Sequence, residues 1–459
     1  MWAVLIPALG AAMLPLLPRY AAALNIAISA ATMAAVLALA TQPFPTEGWL
    51  RADALNLPLV LVAGIVGLAT AVFSAHGRLA HSRQYHAAFQ GFCAANMLAL
   101  LSDNMGLMWV AIEAATLASV VMVASPRTTA ALEAAWKFFI LCGVGIALAL
   151  FGTIVLQMAV PAAGLSFAAL RAGAASADAG LLNLAFILLL VGYGTKSGLV
   201  PLHNWLPDAH AEGPVPITAV LSGLLLTTAM HGVLRAKAVV GANPGTVPPG
   251  TFLLVLGVAT LLLAAFTLWR RRDARRFFAW SSIKHMGLAA IAFGLGGPAG
   301  NLAGLIHLLG HALVKSAVFI GLGAAITLKG SQRIADIGGL VASHPALGWG
   351  LGLAVLGAAG LPPFMLFASE FLLVTSAGRQ NPWLLAPLLL GLLVGAAALV
   401  RVAQRLCLGP ATPDAPGAAP PGLLVLLPLW GLLLVAFLGT IAMPATIAEM
   451  LRAAAEVPL

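Results

Sequence analysis

The segment GYGTKSGLVPLHNWLPDAHAEGPVP, residues Gly192–Pro216, determines the structural class of this chain. It follows the apolar run Leu181–Val191, and the two together are long enough to cross a bilayer. Lys196 therefore lies inside a hydrophobic helix, and Gly198 and Pro201 interrupt the helical hydrogen bonds just after it. An ionisable side chain at membrane depth beside a helix break is expected to have a function.

The composition of the whole chain supports the same assignment. Of the 459 residues, 61% are hydrophobic and 8% are charged, whereas soluble proteins contain roughly 25% charged residues. Apolar runs recur along the chain, each about twenty residues long, which is the length needed to cross a hydrocarbon core. We therefore predict an all-α, polytopic membrane protein with about 14 transmembrane helices. The net charge of +9 is attributed to loops on one side of the membrane, and nucleic-acid binding is not expected.

The three cysteines, Cys93, Cys142 and Cys407, are far apart and form no CxxC motif or Cys/His cluster. This spacing argues against an iron–sulfur cluster, a zinc finger or a disulfide framework within the chain. We expect no cofactor, no metal site and no catalytic residues here. Whether the protein counts as an enzyme is left open, because any redox chemistry would belong to partner subunits.

Two predicted spans are interrupted, and they are five spans apart. The seventh is broken after Lys196, and the twelfth is broken at Gly360, Pro362 and Pro363. Corresponding broken helices are typical of inverted repeats around an ion path. We therefore predict one membrane domain (1–459) with two inverted five-helix repeats. Its parts are an N-terminal three-helix segment (1–84), helices 4–8 (85–238), helices 9–13 (251–408), and a last helix with a tail (422–459).

The lysines and arginines predict the orientation. Alternate loops, beginning with the loop after the first span, hold thirteen of them, whereas the opposite loops and the tail hold six. The positive-inside rule then places both termini on the periplasmic side of a bacterial inner membrane.

Several ionisable residues lie within the predicted spans, where a charge costs roughly 2.5–3.5 kcal/mol. Carboxylates, lysines and histidines in alternation are typical of a proton relay, because burial and neighbouring charges adjust their protonation. The candidates are Glu113, Lys137, Lys196, Lys284, His285, His307, His311, Lys315 and Glu370.

His307, His311 and Lys315 follow one another at four-residue steps and so share one helix face. Packing histidines bonded to backbone carbonyls are the alternative to a relay. A metal site on this face is disfavoured, because no carboxylate or cysteine adjoins it in the sequence.

The other candidates also have structural alternatives. Glu133 and Lys137 are four residues apart near a membrane end, which favours a surface ion pair. Lys196 and Glu113 are compatible with a structural ion pair between helices. Glu370 is also suited to stabilising the start of a half-helix, and Lys284 is close enough to a membrane end to extend to the surface.

The segment GTKSGLVPLHNWLPDAHAEGPVPITAVLSG, which contains Lys196, resembles the signature of the antiporter-like subunits of respiratory complex I, Mrp antiporters and energy-converting hydrogenases. The resemblance covers nearly the whole chain. The segments LLSDNMGLMWVAIEAATLASVVM and LEAAWKFFILCGVGIALALFGT are most similar to the F-type membrane subunit of hydrogenase-4 and formate hydrogenlyase.

The resemblance implies roles for individual residues. Glu113 and Lys196 match the buried pair that gates proton movement, and His311 and Lys315 match the HxxxK region. Glu370 matches the ionisable residue of the broken twelfth helix. The sequence departs from the family in the eighth helix, where Thr227 replaces a lysine found in many members. His231, one turn further on, or water would then complete the path. The proton-path residues are Glu113, Lys196, His231, Lys284, His307, His311, Lys315 and Glu370.

The function implied is proton conduction, with Na⁺ as the alternative ion, as a membrane subunit of a redox-driven complex similar to hydrogenase-4. The expected partners are other antiporter-like membrane subunits, a peripheral hydrogenase or iron–sulfur arm, and membrane lipid. Two alternatives stay open. One is a subunit of an Mrp-type antiporter or of an inorganic-carbon uptake complex, and the other is a non-conducting scaffold.

Overall fold

The computed structural model describes residues 1–41 and 48–457. Over these residues the chain is a bundle of α-helices, and the only β pairing in these ranges consists of isolated bridges. Residues 42–47 of the predicted N-terminal segment and residues 458–459 of the predicted tail lie outside the described residues. The predicted all-α class is confirmed.

The first half of the chain contains eleven α-helices within the described ranges. They are α1 (Trp2–Met13), α2 (Ala21–Ala40), α3 (Leu57–Ser74), α4 (Arg83–Leu101), α5 (Met105–Val123), α6 (Thr129–Ala159), α7 (Phe167–Ala174), α8 (Ala179–Lys196), α9 (Trp205–Glu212), α10 (Val215–Val220) and α11 (Leu226–Val240). A π-helical turn, Leu221–Leu225, joins α10 to α11. Such turns often lie at functional sites.

The second half adds nine α-helices to those described. They are α12 (Pro249–Leu268), α13 (Ala274–Leu295), α14 (Gly297–Lys329), α15 (Leu340–Ser343), α16 (Pro345–Ala358), α17 (Met365–Gln380), α18 (Leu385–Ala403), α19 (Leu423–Ile441) and α20 (Ala445–Glu456). A second π-helical turn, Gln404–Leu408, follows α18.

Ten helices in the part of the chain that the structure describes are long and apolar enough to cross a membrane, and shorter apolar helices accompany them. The predicted polytopic membrane architecture is therefore confirmed. The number of about 14 spans stays a prediction, because α4 and α13 contain more polar residues and the twelfth predicted span is divided between α16 and α17.

Both predicted helix breaks are present, and they share a backbone feature. Helix α8 ends at Lys196, and Gly198 follows with φ +77°. Helix α16 ends at Ala358, and Gly360 follows with φ +76°. Glycine adopts this left-handed conformation without steric penalty, so it can reverse the chain direction at both places. The division into two inverted repeats stays a prediction.

Glycines bring neighbouring helices into backbone contact. A Cβ at Gly287 of α13 would lie 2.7 Å from the backbone nitrogen of Leu261 in α12. A Cβ at Gly192 of α8 would lie 2.6 Å from the carbonyl oxygen of Gly145 in α6. Lipid tails are as apolar as the side chains, so such close packing of small residues is a main source of helix association in membranes.

The contact between α12 and α13 predicts that a methyl group added at Gly287 lowers the stability of the protein. Gly287→Ala should lower the free energy of unfolding by about 1–3 kcal/mol, because the added carbon meets rigid backbone. Gly143→Ala is the matched control, since a Cβ there has nothing within 4 Å. The measurement is thermal unfolding in detergent with a thiol-reactive dye, because all three cysteines are buried. Equal melting temperatures for the two variants would contradict the packing described.

Candidate functional site

The predicted pair Lys196 and Glu113 is formed in the structure. The Nζ atom of Lys196, at the end of α8, lies 3.3 Å from Oε2 of Glu113 in α5 and donates a second hydrogen bond to the hydroxyl of Thr116. The lysine side chain is fully buried, whereas the glutamate side chain is 23% exposed. Thr116 was not among the predicted residues, although its position three residues after Glu113 places it on the same helix face.

Hydrogen bonds to the last backbone carbonyls of α8 fix the position of the end of this helix. The indole nitrogen of Trp205 donates a hydrogen bond to the carbonyl of Thr195 at 2.9 Å. The backbone nitrogen of Leu199 donates to Gly194 at 2.8 Å. The carbonyls that the break leaves without helical partners are thus bonded within the fold, which fixes the position of Lys196.

Lys284 and Glu370 form a second, looser pair. The Nζ atom of Lys284 in α13 lies 3.8 Å from Oε1 of Glu370 in α17, and the lysine side chain is fully buried. The alternative in which Lys284 extends to the membrane surface is therefore wrong.

Two glycines pack against this pair, one against each side chain. A Cβ at Gly360 would collide with the Glu370 carboxylate, and one at Gly395 would lie 2.7 Å from Cδ of Lys284. The sequence analysis included Gly360 only as a helix breaker and did not include Gly395.

A line of hydrogen bonds connects two histidines to the broken helix. The Nε2 atom of His285 lies 3.0 Å from the carbonyl oxygen of Ala358, and its Nδ1 atom lies 3.2 Å from Nε2 of His307. The Nδ1 atom of His307 lies 2.9 Å from the hydroxyl of Ser369. The Ala358 carbonyl has no helical partner, because the residue four positions later is Pro362, which lacks an N–H group.

This carbonyl sets the direction of the line. A carbonyl can only accept, so His285 donates from Nε2 and accepts at Nδ1 from His307. The Nδ1 atom of His307 is then an acceptor, and it competes with the carbonyl of Leu366 for the single hydroxyl proton of Ser369. The carbonyl, the two imidazoles and the hydroxyl form one connected line of neutral groups, and the carbonyl fixes its direction at His285. Ser369 was missed by the sequence analysis, although it adjoins Glu370.

His311 and Lys315 continue the predicted face of α14 towards α13. The ring of His311 lies 5.6 Å from that of His285, measured between centroids. The Nζ atom of Lys315 donates a 2.7 Å hydrogen bond to the carbonyl of Phe278 and lies between the rings of Phe278 and Phe319, 5.3 and 5.1 Å from their centroids. Among the described residues, no carboxylate lies within 4.0 Å of this ammonium group.

The argument against a metal site on this face was wrong in one respect. Ligand atoms of His285, His307 and Glu370 lie within 4.8 Å of one another, because α17 brings the distant carboxylate to the histidines. These residues could hold a transition metal. Lys284 opposes this, since its ammonium group lies beside the same carboxylate. The expected absence of a metal stays a prediction.

His231 lies in a different setting. Its Nε2 atom accepts a 3.4 Å hydrogen bond from Nε of Arg235, and Arg235 forms an ion pair at 2.6 Å with Asp53 in the loop before α3. Burial raises the pKa of Asp53, but the Arg235 guanidinium, the backbone N–H of Asn56 and the charge of His231 together hold this pKa below its usual value. The hydroxyl of Thr227 donates to the carbonyl of Gly223 in the π-helical turn.

A serine pair that the sequence analysis missed joins this region to α13. The hydroxyls of Ser222, in the π-helical turn, and Ser282 are 2.8 Å apart. Ser282 also donates to the carbonyl of Phe278, which accepts a bond from Lys315 as well, so the pair joins the π-helical turn to α13. No spacing rule indicated it, because the two serines are 60 residues apart.

Lys137 is not part of the buried axis. Helix α6 begins at Thr129, where the Thr128 side chain caps it, and Lys137 lies on its exposed surface. The Nζ atom of Lys137 lies 2.7 Å from Glu133 and 3.3 Å from Asp208. The predicted surface ion pair is confirmed.

Several buried polar atoms near the axis have no hydrogen-bond partner among the described protein atoms. Buried polar groups nearly always have a partner, and water is the usual one when protein atoms are absent. The atoms are Nζ of Lys284, Oε1 of Glu370, both ring nitrogens of His311, Nδ1 of His231, Nε2 of His210 and the hydroxyl of Ser281.

Comparison with known proteins identifies relatives along the whole chain. A family profile described as NADH:quinone oxidoreductase/Mrp antiporter, TM, matches residues 102–395. The chain is 43% identical to a "Hydrogenase-4 component F homolog" of Methylacidiphilum infernorum, with 97% of each protein covered. Several further relatives are matched over only about half of their own length.

Solved structures share the fold. A chain of the Mrp complex from Dietzia sp. superimposes with a TM-score of 0.87 at 21% identity, covering 99% of this chain and 96% of that one. A chain of respiratory complex I from Thermus thermophilus gives a TM-score of 0.80 at 24% identity, covering 97% and 99%. At these identities the likeness establishes the fold alone.

The second pair predicts a non-additive effect of two substitutions. Lys284→Met should destabilise the protein by about 3–5 kcal/mol, because it leaves Glu370 buried without its partner. Adding Glu370→Gln should recover much of this loss, since the double variant contains no buried charge at that place. Thermal unfolding of the two single variants and the double variant measures the coupling free energy. Strictly additive losses would show that the two side chains do not interact.

Proposed function

Because this chain belongs to the membrane-subunit family shared by NADH:quinone oxidoreductases and Mrp antiporters, we propose that it conducts protons along a buried axis from Lys196 to Glu370. The observation that carries the proposal is the set of lysines, histidines and carboxylates inside the bundle. Such groups are costly in a membrane protein, and they usually mark an ion path.

The first step of the proposed mechanism is a change of partners at Lys196. With Glu113 at 3.3 Å, the ammonium form of the lysine is stabilised. When Glu113 moves away, the buried ammonium loses this partner and releases its proton towards the centre of the bundle. Glu113 is partly exposed, so a charge on a neighbouring subunit can act on it.

The middle of the path connects α8 to α13. The hydroxyl of Ser197 donates to the carbonyl of Leu226 at 3.4 Å, and the serine pair Ser222 and Ser282 leads to the carbonyl of Phe278, which Lys315 also bonds. Water bonded to the buried polar atoms described above completes this part. The Thr227 departure then leaves a hydrated segment in place of a lysine, and His231 borders it.

The last step uses the histidines. His285 and His307 are hydrogen-bonded to each other, His311 is adjacent, and Lys315 and Lys284 lie at either side. Histidine exchanges protons near neutral pH in water, and its two nitrogens allow a proton to enter at one side and leave at the other. From the histidines the proton reaches Lys284 and then Glu370, whose side chain is 11% exposed and passes it to the outside of the bundle.

The driving force is proposed to come from partner subunits. The 43% identity to a protein named as a hydrogenase-4 component supports a redox-driven complex with a peripheral hydrogenase or iron–sulfur arm. We propose a bacterial inner membrane as the location, with the lysine- and arginine-rich loops in the cytoplasm and both termini in the periplasm. The excess of lysine and arginine in alternate loops supports this orientation.

The alternatives differ in their partners and in the ion. An Mrp-type antiporter subunit would exchange Na⁺ for protons without a redox partner, and the fold shared with the Dietzia sp. Mrp complex is compatible with this. A non-conducting scaffold is opposed by the two ion pairs and the histidine line, because a scaffold has no need of several buried charges.

Replacement of Lys196 tests the path directly. Lys196→Ala should abolish proton pumping by the assembled complex, because the releasing group at the first pair is removed. Lys137→Ala is the matched control, a lysine on the exposed face of α6 outside the axis. The measurement is acidification of inverted vesicles with a pH-sensitive dye, with the amount of assembled complex checked on native gels.

Pumping by Lys196→Ala at the wild-type rate would overturn the proposed path. Repeating the assay with Na⁺ omitted distinguishes the ion, since a proton conductor keeps its rate and a Na⁺/H⁺ exchanger loses it.

Isolation of the complex tests the partner assignment. The tagged chain, purified in a mild detergent, should bring with it a hydrogenase large subunit and iron–sulfur proteins, identified by mass spectrometry. Recovery of antiporter subunits alone, or of a carbonic-anhydrase-like protein, would replace the redox-driven assignment with an uptake or antiport function. The proton path would then still be tested by the Lys196→Ala variant.

A further inference from the structure

One end of the bundle contains a basic pocket that the proton path does not use. Its volume is about 500 Å³, and five arginines line it together with three apolar residues. The arginines are Arg271, Arg272, Arg333, Arg401 and Arg405. Among the described residues, none of the five forms an ion pair with a carboxylate, so their charges are available to a ligand.

The pocket is built from segments that the fold holds together. The loop before α13 and the loop after α14 are joined by two backbone hydrogen bonds, Ala274 to Gln332 at 2.8 Å and Ile334 to Arg272 at 2.9 Å. These bonds fix the backbone that carries Arg272 and Arg333. Arg401 and Arg405 come from the end of α18 and the π-helical turn after it.

Two arginines are also positioned by aromatic rings. The guanidinium of Arg401 lies 4.5 Å from the ring centroid of Trp269, and that of Arg271 lies 5.1 Å from the ring centroid of Trp280. The indole nitrogen of Trp269 donates to the carbonyl of Val394, which ties α12 to α18. Tryptophan at such a helix end is typical of the membrane–water interface.

The five arginines that line the pocket are suited to binding an oxyanion. Guanidinium groups bind phosphate oxygens through paired hydrogen bonds, and five of them around one cavity provide more positive charge than a single carboxylate would need. Basic pockets between membrane helices on the positively charged side are suited to anionic lipid headgroups.

The surface next to the pocket favours a lipid over a free anion. In the turns of α12 that precede Trp269, Leu263 and Phe266 are 44% and 52% accessible. On α18, Leu393 is 70% accessible. Helices α12 and α18 are in contact, so their apolar surfaces adjoin. A phospholipid would place its phosphate among the arginines and its acyl chains along these side chains.

We propose that this pocket is a binding site for the phosphate headgroup of an anionic membrane phospholipid. The site lies at the ends of α12, α13 and α18, whose inner residues include Lys284 and the glycine that packs against it, Gly395. Bound lipid would hold these three helix ends together at the side of the second ion pair. The site is independent of the identity of the conducted ion and of the redox partner.

The test compares two lipids and two sets of variants. The purified full-length chain is titrated with phosphatidylglycerol or phosphatidylcholine in neutral detergent, and the bound lipid is counted by native mass spectrometry. The wild type should retain phosphatidylglycerol in preference to phosphatidylcholine. The triple variant Arg333→Gln, Arg401→Gln, Arg405→Gln should lose this preference, at roughly fivefold in affinity for each arginine removed.

The control has the same net charge but leaves the pocket intact. Arg127→Gln, Arg270→Gln, Arg379→Gln removes three exposed arginines outside the lining, one of them next to the pocket in the chain. It should bind phosphatidylglycerol as the wild type does. Equal losses in the two triple variants would show that general charge attraction, and not this pocket, holds the lipid.

Two further outcomes would overturn the proposal without any variant. Equal retention of the two lipids by the wild type would exclude an anionic headgroup site and favour a protein partner for the arginines. Complete displacement of phosphatidylglycerol by millimolar inorganic phosphate would make the pocket a free-anion site. The single variant Arg405→Gln, at an exposed residue of the π-helical turn, keeps the test possible if the triple variant fails to fold.

Discussion

The cost of holding an ammonium group away from water is the constraint on which the rest of this structure depends. Lys196, Lys284 and Lys315 are all fully buried, and each has partners on other helices. Helix α5 supplies a carboxylate and a hydroxyl, α17 supplies a carboxylate, and α13 supplies a carbonyl oxygen. Each buried lysine therefore fixes the position of one helix relative to another. The glycine contacts between α12 and α13 and between α6 and α8 set the distances at which these partners can meet.

The helix breaks also provide partners and space for buried polar side chains. Pro362 leaves the carbonyl of Ala358 without a helical partner, and His285 uses that carbonyl as an acceptor. Gly360 has no side chain to collide with the carboxylate of Glu370, which passes close to its backbone. The residues that interrupt the helix thus also create the polar surroundings of the second pair. A continuous helix would bond its own carbonyls and would offer the histidines nothing to donate to.

Sequence reasoning found the residues that helix periodicity and the free-energy cost of burying a charge can indicate. A charged residue in an apolar run identified Lys196, Lys284 and Glu370, and four-residue spacing predicted the shared face of His307, His311 and Lys315. It did not find which helices meet, because contacts such as Ser222 with Ser282 join residues far apart in the chain. For the same reason it placed no carboxylate near the histidines, although Glu370 lies beside His285 and His307. Gly395 carries no chemistry of its own, so only its contact with Lys284 makes it visible.

The two ion pairs differ in the number of hydrogen bonds that the buried lysine makes. Lys196 bonds both Glu113 and Thr116, whereas the Nζ atom of Lys284 has no hydrogen-bond partner among the described residues and lies 3.8 Å from Glu370. In the first half, His231 accepts from Arg235, which forms an ion pair with Asp53. In the second half, His285 and His307 form a line that starts at a neutral carbonyl. Among the described residues, the first half therefore fixes its buried lysine through two side-chain bonds, whereas the second half leaves its buried lysine to bond water beside a connected pair of histidines.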